Sequence, residues 1–242
     1  MTLIFAIETT EKYGSVALLD GDRILSESRL PHDRRSAQAL FPAMCTIFRE
    51  TNIEPQDVYV IAAVIGPGSF TGLRVGITAA KLFAYSVGAK IIPVNTFETV
   101  AAGMLELENP PKYLTVGVDA QRGEIVRQDY FLHKDEKRYE AIRNEHYDGG
   151  FELLPFEKWQ PRDWADLCFT GPALEKYAAK LPPEVNAAAQ EFWFPKASVA
   201  GQLANSLLEK QERQAVNAFE LLPVYSRLST AEERLKKDVN SM

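Results

Sequence analysis

The chain has 242 residues, of which 46% are hydrophobic and 25% are charged, the balance of an ordinary soluble globular protein. Its formal net charge of −6 argues against broad, sequence-independent binding of nucleic acid, although it leaves room for RNA contact alongside a partner protein. Two cysteines, Cys45 and Cys168, form no pair motif, which fits a reducing compartment. The chain shows neither a signal peptide nor an apolar stretch that could span a bilayer. We therefore expect a cytoplasmic protein without a membrane role.

The first hundred residues predict the element order βββαβαβα. The segments LIFAIETT and GSVALLDGDRILSESR are typical of three strands, with a hairpin turn at Asp20 and Gly21. Apolar residues then recur every three or four positions over residues 37–48, which predicts an amphipathic helix that Pro42 weakens or kinks. A strand over 58–65, a helix over about 72–87, a strand over 90–94 and a helix from about 96 complete the series.

Three hairpin-joined strands followed by alternating helices and strands are the order of the ribonuclease-H-like unit of actin-like ATPase domains, although other mixed α/β sheets fit it too. A polar stretch with a proline pair at 105–114 indicates a linker. Beyond it a strand, an acid and a glycine turn recur, with Asp119 standing where the first copy has Glu8. The sequence therefore predicts an α/β protein of two lobes with a mixed sheet in each. The predicted lobes span residues 1–104 and, for the smaller C-terminal α/β lobe, residues 105–242.

A glycine-rich turn, VIGPGSFTGLRVG at 64–76, joins a predicted strand to a helix, a place where many proteins hold a phosphate. Its spacing fits neither a Walker A loop, nor the dinucleotide fingerprint, nor a hydrolase elbow. Its glycines continue into the helix, where Gly72, Gly76 and Ala80 recur every four residues and allow a very close neighbour. That neighbour is either another part of the same domain or a helix of a partner subunit.

Four segments resemble the signatures of the bacterial TsaB (YeaZ) family: IETTEKYGSVALLDGDRIL, AVIGPGSFTGLRVGITAAKLFA, VDAQRGEIV and LLPVYSRLSTAEERLK. The resemblance implies a two-lobed actin-like fold. It also implies a non-catalytic role in forming N6-threonylcarbamoyladenosine in tRNAs that read codons beginning with A. The implied partners are a TsaD-like transferase subunit, a TsaE-like ATPase and, through the complex, tRNA. ATP and magnesium are used by the complex, and no cofactor is assigned to this chain.

The resemblance implies that the first two helices pair with the transferase subunit, or with a second copy when the chain is alone. The candidate interface residues are Leu40, Phe41, Met44, Phe48, Gly72, Leu73, Gly76, Ile77 and Ala80. The chain departs from the family pattern where three residues separate His32 from Ser36, which relatives place together. It also carries Glu8 where many relatives have Asp.

We predict no catalytic residue and no metal site in this chain. The related transferase holds a metal with two histidines three residues apart on its first long helix, whereas here the region offers only His32, and position 36 is Ser36. His133 and His146 likewise lack the spacing of a metal-ligand pair.

The alternative is an actin-like small-molecule kinase or ATPase that acts on its own, because Glu8 and Asp119 could face one cleft and hold Mg-ATP. The candidate nucleotide-proximal residues are Glu8, Gly68, Ser69, Thr71 and Asp119. Against this alternative, no second glycine hairpin follows Asp119. A protease is a third reading, which no Ser-His-Asp arrangement and no zinc motif supports.

Overall fold

The structure is a computed structural model that describes residues 2–31, 36–142 and 150–227, except for the side chain of Ser36. Its first sheet has the strand order β3-β2-β1-β4-β5, antiparallel on the hairpin side of β1 and parallel on the other. The strands are β1 (Leu3–Glu8), β2 (Ser15–Asp20), β3 (Arg23–Arg29), β4 (Val60–Val64) and β5 (Lys90–Val94). β1 and β4 are buried along their whole length, because helices cover both faces of the sheet.

The helices of the described part are divided between the two sheets. They are α1 (Ser36–Thr51), α2 (Phe70–Val87), α3 (Thr96–Gly103), α4 (Leu174–Tyr177) and α5 (Ala197–Glu209). The apolar sides of α1 and α2 pack on the face that presents Phe5 and Ile7, whereas α5 packs on the opposite face with Ile4 and Ala6. Phe97 of α3 lies in the core of the second sheet, so α3 links the two halves of the molecule.

The second sheet repeats the topology of the first. Its strands are β6 (Tyr113–Asp119), β7 (Glu124–His133), β8 (Arg138–Ala141), β9 (Glu152–Pro155), β10 (Leu167–Thr170) and β11 (Asn186–Ala187). The order is β11-β10-β6-β7-β8, with β9 also paired to β7. As in the first sheet, the central strand β6 has an antiparallel hairpin on one side and parallel strands on the other. The repeated opening in the sequence thus corresponds to a repeated fold unit.

The end of the described chain returns to the first sheet. Residues 213–227, here called the C-terminal strap, pair through Val216 with Ile91 at the edge strand β5. Farther along, the Val224 amide donates to the Ile65 carbonyl at 2.8 Å, and Leu221 is buried in the core under α1 and α2. The predicted boundary at residue 104 stays a prediction, and we propose to count α5 and the strap with the first lobe.

Local differences from the sequence expectations have physical reasons. Residues 138–141, in a charged segment for which no strand is predicted, form β8 because Tyr139 and Ala141 pack on the second core. α2 begins at Phe70, since the Ser69 hydroxyl caps it by accepting from the Gly72 amide at 3.3 Å. In the described ranges no helix combines the length and apolar character needed to cross a membrane.

Candidate functional site

The glycine turn is packed against the loop that follows β1. The Ser69 amide donates to the Thr10 carbonyl at 2.6 Å, and the Thr9 hydroxyl donates to the Gly72 carbonyl at 2.8 Å. A Cβ on Gly72 would overlap the Thr9 carbonyl oxygen, and one on Gly76 would overlap the Thr9 hydroxyl. The close neighbour that the glycine spacing predicts is therefore present, and it belongs to this chain.

The nine candidate interface residues divide by exposure. Seven are buried within the chain: Leu40, Met44, Gly72, Leu73, Gly76, Ile77 and Ala80. Phe48 is half-buried and stacks on Phe5, with ring centres 5.1 Å apart, and Phe41 is 71% exposed. A role for all nine at a partner interface stays a prediction. Phe41 is the one whose side chain is most available to a partner.

An exposed apolar surface, here called the α2 surface, lies beside these buried positions. Its members on the two helices are Phe41, Phe70, Leu82 and Tyr85, and the strap adds Phe219, Leu222 and Tyr225. Helix and strap meet through aromatic pairs, with ring centres 6.1 Å apart for Tyr85 and Phe219 and 5.2 Å for Phe70 and Tyr225. Tyr85 is 73% exposed and Phe219 is 80% exposed. Exposed apolar surface is frequent at sites of protein–protein contact, and whether this one binds a partner stays a prediction.

The sequence reasoning found only part of this surface. It singled out the apolar residues of α1 and α2, which periodicity also requires for the core, and so it selected mostly buried positions. The strap residues were missed because their contact with α2 joins positions far apart in the chain. These residues could have been found from the sequence, because a stretch without helix or strand carries three large apolar side chains, those of Phe219, Leu222 and Tyr225.

Glu8 ends β1 and is fully buried, next to the loop that pairs with α4 of the second half through Lys12 and Glu175. Its Oε1 accepts hydrogen bonds from the Thr10 amide and the Thr10 hydroxyl, both at 2.5 Å. Its Oε2 has no hydrogen-bond partner among the described residues. Burial raises the pKa of the Glu8 carboxyl from 4.5 to about 8, and the bonds from Thr10 offset only part of that rise.

A cluster of acids surrounds Glu11, which follows Glu8 in the loop after β1. Burial and the nearby charges of Glu8, Asp119 and Glu175 raise the pKa of Glu11 well above its ordinary range. Two lysines offset these charges: Lys12 pairs with Glu175 at 2.8 Å, and Lys176 lies 3.4 Å from Asp119. The first pair joins the loop after β1 to α4 of the second half.

Glu8 and Asp119, the two acids that the sequence repeat singles out, both lie close enough to Glu11 to raise its pKa. That they hold a nucleotide stays a prediction. The structure adds Glu175, which lies outside the quoted motifs, and Glu11 and Lys12, which lie within the first of them.

The other candidate nucleotide-proximal residues have structural contacts. Ser69 caps α2, Gly68 lies against the Thr10 carbonyl, and Thr71 is exposed on the first turn of α2. Nucleotide contact at these positions stays a prediction. Among residues 2–31, 36–142 and 150–227, no group of three His, Cys, Asp or Glu side chains is arranged to hold a metal ion. His32 and His146 lie outside the described residues, so the predicted departure before α1 is not placed.

Comparison with known protein sequences supports the resemblance. A model of the family described as tRNA N6-adenosine threonylcarbamoyltransferase, TsaD, matches residues 24–240. The tRNA threonylcarbamoyladenosine biosynthesis protein TsaB of Bacillus subtilis is 31% identical over 122 residues, which cover 50% of this chain and 52% of that protein. TsaB of Escherichia coli is 31% identical over 127 residues, covering 52% of this chain and 54% of that protein. The chain spans about half the length of the curated relatives it matches.

Comparison with solved structures covers nearly the whole chain. The protein named YeaZ from Pseudomonas aeruginosa matches with a TM-score of 0.77 and 26% identity, covering 93% of this chain and 100% of that one. A second Pseudomonas aeruginosa structure, described as an uncharacterized protein with similarity to peptidase YeaZ, matches with a TM-score of 0.79 and 25% identity, covering 94% and 100%. The expected α/β architecture of two actin-like lobes is confirmed. The chain belongs to the family described by the TsaD model and, within it, to the TsaB (YeaZ) group.

Proposed function

We propose that this protein is a non-catalytic subunit required for threonylcarbamoyl transfer to tRNAs that read codons beginning with A. It binds and stabilises the TsaD-like transferase subunit, and a TsaE-like ATPase and tRNA join the complex in the cytoplasm. The observation that carries the proposal is the α2 surface, where Phe41, Tyr85 and Phe219 expose most of their area to water. Large aromatic side chains with little conformational entropy are the residues that most often supply binding energy at protein interfaces.

The electrostatics around Glu8 also favour an accessory role. Burial raises the pKa of the Glu8 carboxyl to about 8 when no cation is bound, so a divalent cation would have to displace a proton to bind there. In the catalytic relative two histidines hold the metal, and position 36 here is Ser36. The chain therefore contributes contacts, and its partner contributes the transfer chemistry.

The decisive experiment is co-purification with the transferase subunit of the same organism. Phe41→Glu and Tyr85→Glu each place a charge on the α2 surface without touching the core. Because a buried unpaired charge opposes association, each variant is expected to weaken partner binding by about tenfold or more. Formation of threonylcarbamoyladenosine, reconstituted with ATP, threonylcarbamoyl-adenylate and tRNA, should fall in parallel.

Ile24→Glu is the matched control. Ile24 is 45% exposed on β3 and stands opposite Leu19, which packs under α5, so it lies on the other face of the sheet. This variant should keep partner binding and modification. If Phe41→Glu and Tyr85→Glu bind the transferase as tightly as Ile24→Glu does, the proposed role of the α2 surface is wrong.

The second candidate, a kinase or ATPase acting alone, rests on the unpartnered Glu8 Oε2 in a protein with two actin-like lobes. It predicts ATP turnover by the purified chain that disappears in Glu8→Gln. The accessory role predicts no turnover by the chain alone and turnover only with its partners. A steady-state phosphate-release assay on the wild-type chain and on Glu8→Gln distinguishes the kinase or ATPase from the accessory role.

A further inference from the structure

Four aromatic rings form a continuous row at one end of the second sheet. In order they are Trp164, Tyr113, Phe131 and His133, here called the aromatic row. Trp164 stacks on Tyr113 with ring centres 4.7 Å apart and planes 26° apart. Tyr113 contacts Phe131 at 5.5 Å, and Phe131 meets the edge of His133 at 5.0 Å. The rings are half-buried, so part of each remains open to water.

The sheet itself holds the row in place. Tyr113 and Phe131 are directly opposite each other on β6 and β7, and the next pair on the same face is Thr115 with Asp129. Asp129 is buried and accepts from the Thr115 hydroxyl at 2.7 Å and from Arg162 Nε at 2.9 Å. Arg162 in turn lies 5.0 Å from the centre of the Trp164 ring. The row is therefore a rigid extension of a sheet face and not a set of free surface side chains.

Cations accompany the rings. The Lys112 ammonium lies 5.3 Å from the centre of Tyr113 and 5.8 Å from that of Phe131. Lys112 and Lys134 both line a groove of about 310 Å³ that has Phe131 and His133 on its wall. Neither lysine pairs with a carboxylate in the described part of the chain. The groove also contains Asp135 and Glu136, and Arg138 neutralises Glu136 through an ion pair.

We propose that the aromatic row and its groove bind one unpaired nucleotide of an RNA, with the base against Phe131 and the phosphates near Lys112 and Lys134. Proteins that bind unpaired RNA present aromatic side chains on a sheet face to stack bases and place cations beside them for the backbone. The groove is large enough for a single nucleotide. The two lysines that line this groove favour an anionic ligand over an apolar peptide.

The inference rests on the proposed function, which supplies the RNA class: a tRNA, whose loops and acceptor end are unpaired. It also gives the two halves of the chain separate tasks. The α2 surface belongs to the first sheet and the aromatic row to the second, so one molecule can hold a protein partner and an RNA together. A localised cationic site of this kind is compatible with the overall net charge of −6.

The test measures binding of an unmodified transcript of a tRNA that reads codons beginning with A, titrated with the chain alone and with its complex with the transferase. Phe131→Leu keeps apolar volume and removes the ring. It should weaken binding about fivefold or more without changing the salt dependence, because stacking is insensitive to salt. The double variant Lys112→Glu, Lys134→Glu should weaken binding by at least as much. It should also reduce the slope of log Kd against log salt by about 1.4, or about 0.7 for each phosphate contact on a single strand.

Lys158→Glu combined with Lys180→Glu is the matched control, since both lysines are exposed on the second half and the charge change is equal. The inference is overturned if the double variant of the row binds tRNA as this control does, or if the wild-type chain binds no tRNA in either form. It is also overturned if row variants lose the transferase and keep tRNA, since the row is then a protein contact. If the wild-type chain and the transferase do not associate, the proposed function is wrong. The RNA site is then still tested by tRNA binding to the chain alone.

Discussion

Glu8 illustrates how burial sets the charge of a single side chain. In the folded chain its pKa is about 8 instead of 4.5, so between these values the folded protein keeps a proton that the unfolded chain releases. Folding stability therefore falls as the pH rises from about 5 to about 8, by at most about 1.4 kcal/mol per pH unit from this group. Above pH 8 both states are ionised and the loss is complete.

Glu8→Gln removes this ionisation and should flatten the curve. The free energy of unfolding is measured in urea at pH values of about 5 and about 9. The stability of the variant relative to the wild type should be greater at the higher pH. Because the charge of Glu8 also raises the pKa of Glu11, the difference between the two curves reports on the coupled pair of Glu8 and Glu11. A constant gap between wild type and variant at all pH values would contradict the assignment.

The glycines of α2 make a second prediction at the residue scale. A Cβ at Gly76 would overlap the Thr9 hydroxyl, so Gly76→Ala should destabilise the fold by about 1–3 kcal/mol. Gly103, at the end of α3, has no atom within 4 Å of the position its Cβ would take. Gly103→Ala should therefore be neutral or stabilising by up to about 1 kcal/mol. Thermal unfolding of the two variants under one condition compares them directly, and equal destabilisation would show that the close approach to Thr9 is not what Gly76 serves.

At the scale of elements, a buried ionic network joins β7 to β9, and Thr115 of β6 donates a hydrogen bond to it. Asp129 holds Arg127 at 2.7 Å and also accepts from Thr115 and Arg162, while Arg127 Nη2 reaches Glu152 at 2.6 Å. Asp129→Asn leaves the buried guanidinium with one carboxylate and should cost about 3 kcal/mol of stability. Glu136→Gln, which removes an exposed ion pair with Arg138, should change stability little. The comparison is valid if the free energy of unfolding depends on urea concentration with the same slope in both variants. A small effect of Asp129→Asn would show that Glu152 alone is enough to compensate the buried charge of Arg127.

Much of the element order could be predicted from the chain because each element carries its own period. The hairpin turn at Asp20 and Gly21 and the three-four repeat of α1 are local patterns, and the structure confirms both elements. β8 was not predicted because its two inward residues, Tyr139 and Ala141, sit among charges that dominate the composition. The candidate interface residues were predicted on α1 and α2, and most of them lie at positions that the fold buries. Periodicity identifies an apolar side, and it does not say which apolar residues remain uncovered after folding.

At the scale of the whole molecule, the α2 surface predicts self-association when the partner is absent. An isologous dimer would bury the same residues on both copies, which is the common way to cover an exposed apolar surface. Light scattering after size exclusion should give a dimer for the wild type and for Ile24→Glu, and a monomer for Tyr85→Glu. Addition of the transferase subunit should convert the dimer to a mixed complex. A wild-type chain that stays monomeric at concentrations of tens of micromolar would refute the dimer. The complex with the transferase would then still be tested by co-purification.

The return of the strap has a consequence for the order in which the protein can be made. The first sheet is synthesised first, but both of its faces need later parts of the chain. One face is covered by α5, and the core on the opposite face includes Leu221 of the strap. When β1 to β5 have emerged from the ribosome and α5 has not, Ile4 and Ala17 of the sheet are therefore not yet covered by a helix. Completion of the first lobe waits for almost the last described residues, so this lobe matures after the second lobe has been translated. A chain stalled after β11 should expose this sheet to chaperones and proteases, whereas release at full length should protect it.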